Sequence, residues 1–187
     1  MTIRTPLLAL AVAAFMAPQA MADDPYEHPY VGISGGQSEL DEACDGVSGD
    51  CDDTNTFYRI YSGARLLPNF GTEVGYTHNR RFGSLTTQRV RPKALDVVGN
   101  AFLPLGENVD LYAKAGAFLW RARVETPSGN SRSEDGVDFK TGVGLRLGFG
   151  HSISVRFDFD YIPDFGSSEL GVETDLTYIS GGLQFGF

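Results

Sequence analysis

The residue types best suited to acyl transfer in this chain are three histidines and one adjacent serine. Acyl transfer needs a base within hydrogen-bond reach of the nucleophile. His28 lies in the N-terminal segment, His78 has no obvious serine partner, and His151 directly precedes Ser152. That pair falls in a predicted turn, and neighbouring residues on a strand point to opposite faces. We therefore predict no catalytic residue and no enzymatic activity.

The acidic segment 38–55 could hold a divalent cation through carboxylate oxygens. It lacks the spacing of an EF-hand, and a solvated acidic loop is the alternative that we favour. We expect neither a metal nor a cofactor. Cys44 and Cys51 lie in this segment, and an oxidising compartment would allow them to form a disulfide. Two free thiols or a metal site remain the alternatives.

Charged side chains of both signs recur in the middle of alternating segments, always on the parity opposite to the apolar residues. Their chemistry is ion pairing: opposite charges that face a narrow barrel interior can neutralise one another. We predict a lumen charge network formed by Arg59, Glu73, Asp96, Lys114, Arg146, Arg156, Asp158 and Asp160.

Eight alternating segments would position these charges. We predict strands at about 30–37, 56–66, 70–78, 90–103, 109–124, 138–149, 152–162 and 177–187. The long connections 38–55, 79–88, 125–137 and 163–175 alternate with short turns. This rhythm is typical of bacterial outer-membrane barrels, with long loops outside and short turns in the periplasm. The predicted fold is an all-β, eight-stranded antiparallel up-and-down transmembrane β-barrel with both termini in the periplasm.

The N-terminus has the pattern of an export signal. Arg4 precedes the apolar run 7–16, and Ala20-Met21-Ala22 offers a small-residue cleavage site. We predict a signal peptide at residues 1–22 and a single barrel domain at 23–187. The formal net charge of −9 argues against nucleic acid as a partner. A soluble barrel with an apolar cavity is the competing fold. Such a barrel would turn the same charged rows outward, toward water.

Three stretches of the chain resemble the transmembrane domain of the OmpA-like family. Residues 63–77 (GARLLPNFGTEVGYT) look like its second hairpin, residues 111–122 (LYAKAGAFLWRA) like its fifth strand, and residues 155–161 (VRFDFDY) like its seventh. The resemblance implies a barrel with a charged lumen in which Glu73, Lys114 and Arg156 match inward positions. The chain departs from the family at Asn100, where a lysine can stand, and at Arg146, where a glutamate can stand. A salt-bridge gate is therefore not transferable, and we expect no peptidoglycan-binding domain.

The terminal residue Phe187 stands where the family uses a terminal aromatic as an assembly signal, which implies the barrel-assembly machinery as a partner. The apolar rows imply outer-membrane lipid as another partner. Arg80, Arg81, Arg89 and Arg91 could meet lipopolysaccharide phosphates, although solvated loop charge is an equal alternative. We expect a structural outer-membrane protein for envelope integrity and surface display. The alternatives are a small-solute pore and an adhesin that binds host or surface ligands through its outer loops.

Overall fold

A computed structural model describes residues 28–40, 54–80, 89–125, 131–150, 152–167 and 172–187. Eight strands make up nearly all of this part of the chain. They are β1 (His28–Leu40), β2 (Thr54–Leu67), β3 (Phe70–Asn79), β4 (Arg89–Pro104), β5 (Val109–Glu125), β6 (Ser131–Phe149), β7 (Ile153–Ser167) and β8 (Val172–Gly186). Within these residues, no helix is both long and apolar enough to cross a membrane.

Each strand pairs antiparallel with its neighbour in sequence, and β1 pairs with β8 to close the barrel. In that closing pair, Tyr30 lies opposite Gly186 and Leu40 lies opposite Leu176. Closure satisfies both sheet edges. The predicted eight-stranded antiparallel up-and-down barrel is confirmed.

The two ends of the barrel differ in their connections. One end, which we call the turn rim, carries the short connections after β2, β4 and β6 together with the beginning of β1 and the end of β8. The other end, the loop rim, carries the connections after β1, β3, β5 and β7. Residues 1–22, predicted as a signal peptide, and both cysteines, Cys44 and Cys51, lie outside the described residues.

Side chains alternate between an apolar outer face and a polar interior, as the period of two along a strand requires. On β7, for example, Phe157 and Phe159 are exposed on the outer face, whereas Arg156, Asp158 and Asp160 are buried. The same alternation on the other strands exposes large apolar side chains such as Ile33, Ile60, Val97, Val143 and Leu183. An outer surface this apolar suits lipid contact.

Two of the predicted loops are shorter than the sequence indicated. Residues 125–137 were predicted as loop, but β6 begins at Ser131 and pairs its first residues with the end of β5. This extension is polar, so it lacks the apolar alternation by which strands are recognised. The predicted loop 163–175 is also wrong over most of its length. The sheet accommodates Pro163 through an irregularity between Ile162 and Phe165, and β7 continues to Ser167.

Candidate functional site

Eight charged side chains in the middle of the lumen form one closed cycle in which cations and carboxylates alternate. We call it the charge ring. In cyclic order its members are Arg59, Glu73, Arg156, Asp158, Lys114, Asp160, Lys140 and Asp96. Four cations and four carboxylates make the ring formally neutral. Its members come from the six consecutive strands β2 to β7.

The ion pairs of the ring are short and buried. Arg59 binds both Glu73 (2.9 Å) and Asp96 (2.5 Å), and Arg156 links Glu73 (2.6 Å) to Asp158 (3.0 Å). Each of these two guanidiniums therefore lies between two carboxylates, which offsets the cost of its burial.

The two lysines complete the other half of the ring. Lys114 contacts Asp158 (2.6 Å) and Asp160 (2.8 Å), and Lys140 contacts Asp160 (3.0 Å) and Asp96 (3.6 Å). Both lysine side chains are almost completely buried. A buried ammonium without a carboxylate would be very costly, so each member of the ring depends on its two neighbours.

Neutral side chains from β1, β5 and β8 add further hydrogen bonds to the ring. Tyr30 donates a hydrogen bond to Glu73 (3.0 Å), and Tyr112 donates one to Asp158 (2.5 Å). Arg156 donates to the Tyr112 hydroxyl (2.8 Å) and to Gln184 (3.2 Å). With these bonds, every strand of the barrel contributes a polar side chain to the centre of the lumen.

A smaller ion cluster lies between the ring and the turn rim. Arg146 binds Asp110 through two guanidinium nitrogens, and Arg65 approaches the same carboxylate at 3.5 Å. Arg146 also donates to the Ser154 hydroxyl at 3.5 Å. This cluster is more exposed than the ring, because the Arg146 side chain keeps 26% of its accessible surface.

The half of the lumen nearest the loop rim is filled by apolar and aromatic side chains, which we call the aromatic plug. Its buried members are Phe57, Ala94, Phe118, Trp120, Ile162, Leu176 and Tyr178, with Leu40 and Phe165 packed against them. Phe57 meets Tyr178 edge to face at 4.7 Å between ring centroids, and Trp120 meets Phe165 at 5.1 Å. The plug and the ring together occupy the interior with side chains, as expected of an eight-stranded barrel.

Glycines on the inner wall make room for the aromatic rings that surround the charge ring. A Cβ at Gly144 would lie 2.3 Å from the Tyr112 ring, and a Cβ at Gly32 would lie 2.2 Å from the Tyr61 ring. The Arg156 guanidinium lies over both tyrosines, at 4.5 Å from the Tyr61 centroid and 4.8 Å from the Tyr112 centroid. The glycines therefore set how closely these rings approach the wall.

The structure brings seven of the eight predicted lumen residues into the ring: Arg59, Glu73, Asp96, Lys114, Arg156, Asp158 and Asp160. Arg146 also faces inward, but it belongs to the turn-rim cluster with Asp110. Asn100 is inward and buried as well, and it donates to the Tyr30 hydroxyl at 3.3 Å.

Sequence reasoning missed Lys140 and Asp110, although strand parity contained the signal for both. Lys140 shares its row with Arg146, and Asp110 shares its row with Lys114. Lys140 stands near the start of the predicted sixth strand. Tyr30, at the beginning of β1, is buried and points into the lumen.

Among the described residues, no group of histidine, cysteine and carboxylate side chains is arranged to hold a metal ion. His78 lies on the outer face of β3, where its ring stacks on Tyr58 at 5.0 Å. The side chains of His28 and His151 are not among those that the structure describes. The arrangement in the lumen can hold charge and exclude water, which are structural rather than catalytic tasks.

The model of a family described as "Outer membrane protein beta-barrel domain" matches residues 7–187. Outer membrane protein A of Klebsiella aerogenes is 21% identical over 131 residues, which cover 68% of this chain and 37% of the relative. The protein of the same name from Salmonella typhi is 23% identical over 139 residues, covering 68% and 39%. The aligned part thus spans under two-fifths of the length of these curated relatives.

Solved structures support the same fold at low sequence identity. Neisserial surface protein A superposes with a TM-score of 0.69 at 16% identity, covering 85% of this chain and 97% of that one. Ail, the attachment invasion locus protein of Yersinia pestis, superposes with a TM-score of 0.62 at 17% identity, covering 86% and 99%; it was solved in complex with the heparin analogue sucrose octasulfate. The apolar outer face described above is therefore the lipid-facing surface of a transmembrane barrel.

Proposed function

Because this chain belongs to the family of outer membrane protein β-barrel domains, we propose that it is a structural protein of the bacterial outer membrane. In this role it contributes to envelope integrity and displays the connections of its loop rim outside the cell. The two termini lie in the periplasm, and residues 1–22 act as an export signal that leaves a barrel domain at 23–187. Cys44 and Cys51 form a disulfide that stiffens the first loop.

One observation carries the structural role: the lumen is occupied by a neutral, closed cycle of ion pairs beneath an aromatic plug. A transport protein needs a continuous polar path through the lumen. In this interior the charged side chains form ion pairs with one another instead. The interior therefore serves stability, and the surface available for recognition is the loop rim. This observation disfavours the alternative of a small-solute pore.

The partners that we propose follow from three surfaces. The apolar outer rows contact membrane lipid, and the cations at the loop rim contact lipopolysaccharide. The terminal Phe187 is exposed at the turn rim, and its backbone N–H donates a hydrogen bond to the Pro29 carbonyl. That exposure leaves its side chain available to the barrel-assembly machinery.

Deletion of the gene, followed by complementation, tests the envelope role. We expect the deletion strain to become sensitive to bile-salt detergents and large antibiotics, and the wild-type gene to restore resistance. A matched variant should restore it equally when a short glycine–serine linker replaces residues 41–53, because the barrel stays intact. Heat-modifiable migration on a denaturing gel of outer-membrane fractions shows whether the wild type and the linker variant have folded. A deletion strain as resistant as its parent would overturn the proposed role.

Surface recognition through the loops is the second candidate. This candidate is supported by Ail, a barrel of the same fold, which was solved in complex with the heparin analogue sucrose octasulfate. The deletion strains that carry the wild-type gene or the linker variant separate the two functions. The linker variant should lose adhesion to host cells while it keeps envelope resistance. Equal adhesion by the wild type and the deletion strain would rule out the adhesin role.

A further inference from the structure

The pairing between β6 and β7 stops before either strand reaches the loop rim. Their register ends at Thr141 opposite Tyr161, and no pairing joins residues 131–140 to residues 162–167. β6 nevertheless continues to pair with β5 as far as Ser131. A strand that is paired on one side only presents a row of free backbone groups on its other side. This half of β6 therefore has an edge that faces a gap in the barrel wall.

The ladder geometry identifies the backbone groups that face this gap. In an antiparallel ladder, both backbone groups of a residue point to the same side, and consecutive residues alternate. The Gly148 N–H donates to the carbonyl of Asn108, directly before β5, so the odd-numbered residues of β6 point toward β7. Beyond the paired part these residues are Phe139, Val137 and Asp135, which we call the open edge. In the part of the chain that the structure describes, no strand pairs with them from the side of β7.

The end of β7 is held in a position from which it does not pair with the open edge. Pro163 has no N–H to donate, and the backbone of Asp164 is left-handed with a φ of 51°. The Asp164 N–H donates to Asp175 on β8 at 3.1 Å, and the Gly166 N–H donates to the Asp138 carboxylate. These backbone groups of β7 are thus bonded to side chains, and the missing strand must come from elsewhere.

The open edge runs from the apolar band of the outer face to its charged row. Val137 lies opposite the apolar Leu119 of β5, and Asp135 lies opposite Arg121. Val137 is 66% exposed, the highest value among the large apolar side chains of the described strands, against 40% for Leu119. This difference fits the absence of a neighbouring strand on one side. Unpaired backbone groups at the depth of Val137 are costly, because lipid offers no hydrogen bonds.

The side chains that border the gap are predominantly acidic. Asp135 and Asp138 lie on β6, and Asp164 is exposed on β7. Arg121 is the cation opposite Asp135 on β5, so carboxylates exceed cations at the gap. Opposite charges on neighbouring strands stabilise their pairing. A strand with a cationic side chain beside Asp135 therefore matches this edge.

We propose that the open edge binds an extended peptide segment of another protein outside the cell, which adds to β6 as an antiparallel strand. The inference rests on the proposed orientation, in which the loop rim faces outward. Backbone hydrogen bonds to the three edge residues supply affinity, and the alternate side chains of the segment supply specificity. The segment that fits carries apolar residues opposite Phe139 and Val137 and a cationic residue opposite Asp135.

A second copy of this chain fits the open edge less well than a peptide does. Two identical barrels in one membrane are related by a two-fold axis along the membrane normal. Both β6 strands then descend from the loop rim in the same sense, and their tilt of roughly 35–45° makes them cross at about 70–90°. Crossed edges of this kind form no ladder, and the two copies of Asp135 repel each other. An extended peptide can align antiparallel without this constraint.

Fluorescence anisotropy of a labelled peptide tests the open edge on the folded full-length barrel in nanodiscs of zwitterionic lipid, with empty nanodiscs as the blank. The probe VTVTKTK, bound antiparallel, places its valines opposite Phe139 and Val137 and its first lysine opposite Asp135. The reversed peptide KTKTVTV has the same composition and should bind roughly tenfold more weakly, because its charges and apolar residues are exchanged.

N-methylated probes report whether the backbone forms the contact. Methylation of the second valine and the first lysine blocks N–H groups that face the edge and should abolish binding. Methylation of the two threonines that flank the first lysine blocks N–H groups that face away, and binding should be unchanged. Equal affinity of these two methylated peptides would overturn the proposal.

Variants of the barrel test the same contact from the other side. Val137→Pro removes an N–H that faces the gap without removing a hydrogen bond to β5, and it should weaken binding roughly tenfold. The matched control V137T keeps the N–H and should bind like the wild type. D135K should weaken binding of the cationic probe and strengthen binding of a probe in which glutamates replace the lysines.

Unchanged affinity of D135K for both probes would also overturn the proposal. Heat-modifiable migration shows whether each variant has folded, and D135K provides the test if Val137→Pro does not fold. D135K should still restore detergent resistance to the deletion strain, because its barrel is intact. Failure of the envelope role is seen separately, in a deletion strain that is as resistant as its parent, and that result does not depend on peptide binding.

Discussion

Lys140 Nζ lies 3.6 Å from Asp96 Oδ1, and this contact, the longest of the eight in the cycle, closes the charge ring. Lys140 stands on β6 and Asp96 on β4, so the contact crosses the lumen past β5. Without it, the remaining ion pairs would form an open chain. The ring is therefore a property of the closed barrel rather than of any hairpin.

Replacing Lys140 by methionine should lower the free energy of unfolding by about 3 kcal/mol, because it removes one cation from a buried neutral set. Asp96 keeps Arg59 and Asp160 keeps Lys114, yet one negative charge is left in excess. The double variant K140M/D160N restores neutrality and should recover part of the loss. Urea unfolding in detergent micelles measures both. A double variant less stable than the single one would contradict the expected electrostatic coupling between Lys140 and Asp160.

Replacing Arg156 by alanine should destabilise the barrel by about 3 kcal/mol or more, since Glu73 and Asp158 would both lose a buried partner. Arg80→Ala is the matched control, because Arg80 is exposed and its loss should change stability by no more than about 0.5 kcal/mol. The same urea titration applies. An unchanged midpoint for Arg156→Ala would refute the interior role of this residue.

Alanine at Gly144 should destabilise the barrel by about 1–3 kcal/mol, because its methyl group would collide with the Tyr112 ring. That ring cannot move freely, since its hydroxyl is bonded to both Asp158 and Arg156. Gly181→Ala is the control on the outer face, where the nearest atom to the new Cβ would be 3.7 Å away. We expect Gly181→Ala to be neutral or slightly stabilising. Equal losses at the two positions would argue against the packing explanation.

The barrel should show no conductance steps in planar bilayers. The aromatic plug closes the lumen toward the loop rim, and the charge ring closes its middle. A plug variant that combines Phe118→Ala with Tyr178→Ala should also remain silent, because the ring is retained. Single-channel recording with reconstituted, heat-modifiable protein is the measurement. Resolved steps from the wild type would support the pore alternative.

Removal of Phe187 should impair assembly in cells without affecting the stability of the folded barrel. Phe187 is 73% exposed, and its backbone N–H donates to the Pro29 carbonyl at 3.1 Å. Refolding from urea into micelles should therefore be unchanged, while the amount in outer-membrane fractions falls severalfold. Phe187→Tyr keeps a terminal aromatic and should restore normal amounts. A loss of refolding efficiency in vitro would assign the residue a structural role instead.

Strand parity made much of the site predictable, because inward and outward rows follow from a period of two without knowledge of strand partners. Glu73 and Arg156 were placed inside in this way, and so were five other members of the ring. Parity carries no signal where no apolar row contrasts with the polar one, as at the polar beginning of β6. The position of Tyr30 also depended on the tertiary structure. An aromatic residue suits either a membrane interface or a lumen, and the hydrogen bond from its hydroxyl to Glu73 decides between them.

The sequence by itself determined the alternation, the number of strands and the sign of each charge, since these depend on local chemistry. Only the tertiary structure decided which cation meets which carboxylate. Glu73 and Arg156 are 83 residues apart, and their contact requires β1 to pair with β8 so that β3 and β7 face each other across the lumen. Ion pairing in a barrel thus depends on closure and register, which are properties of all eight strands together.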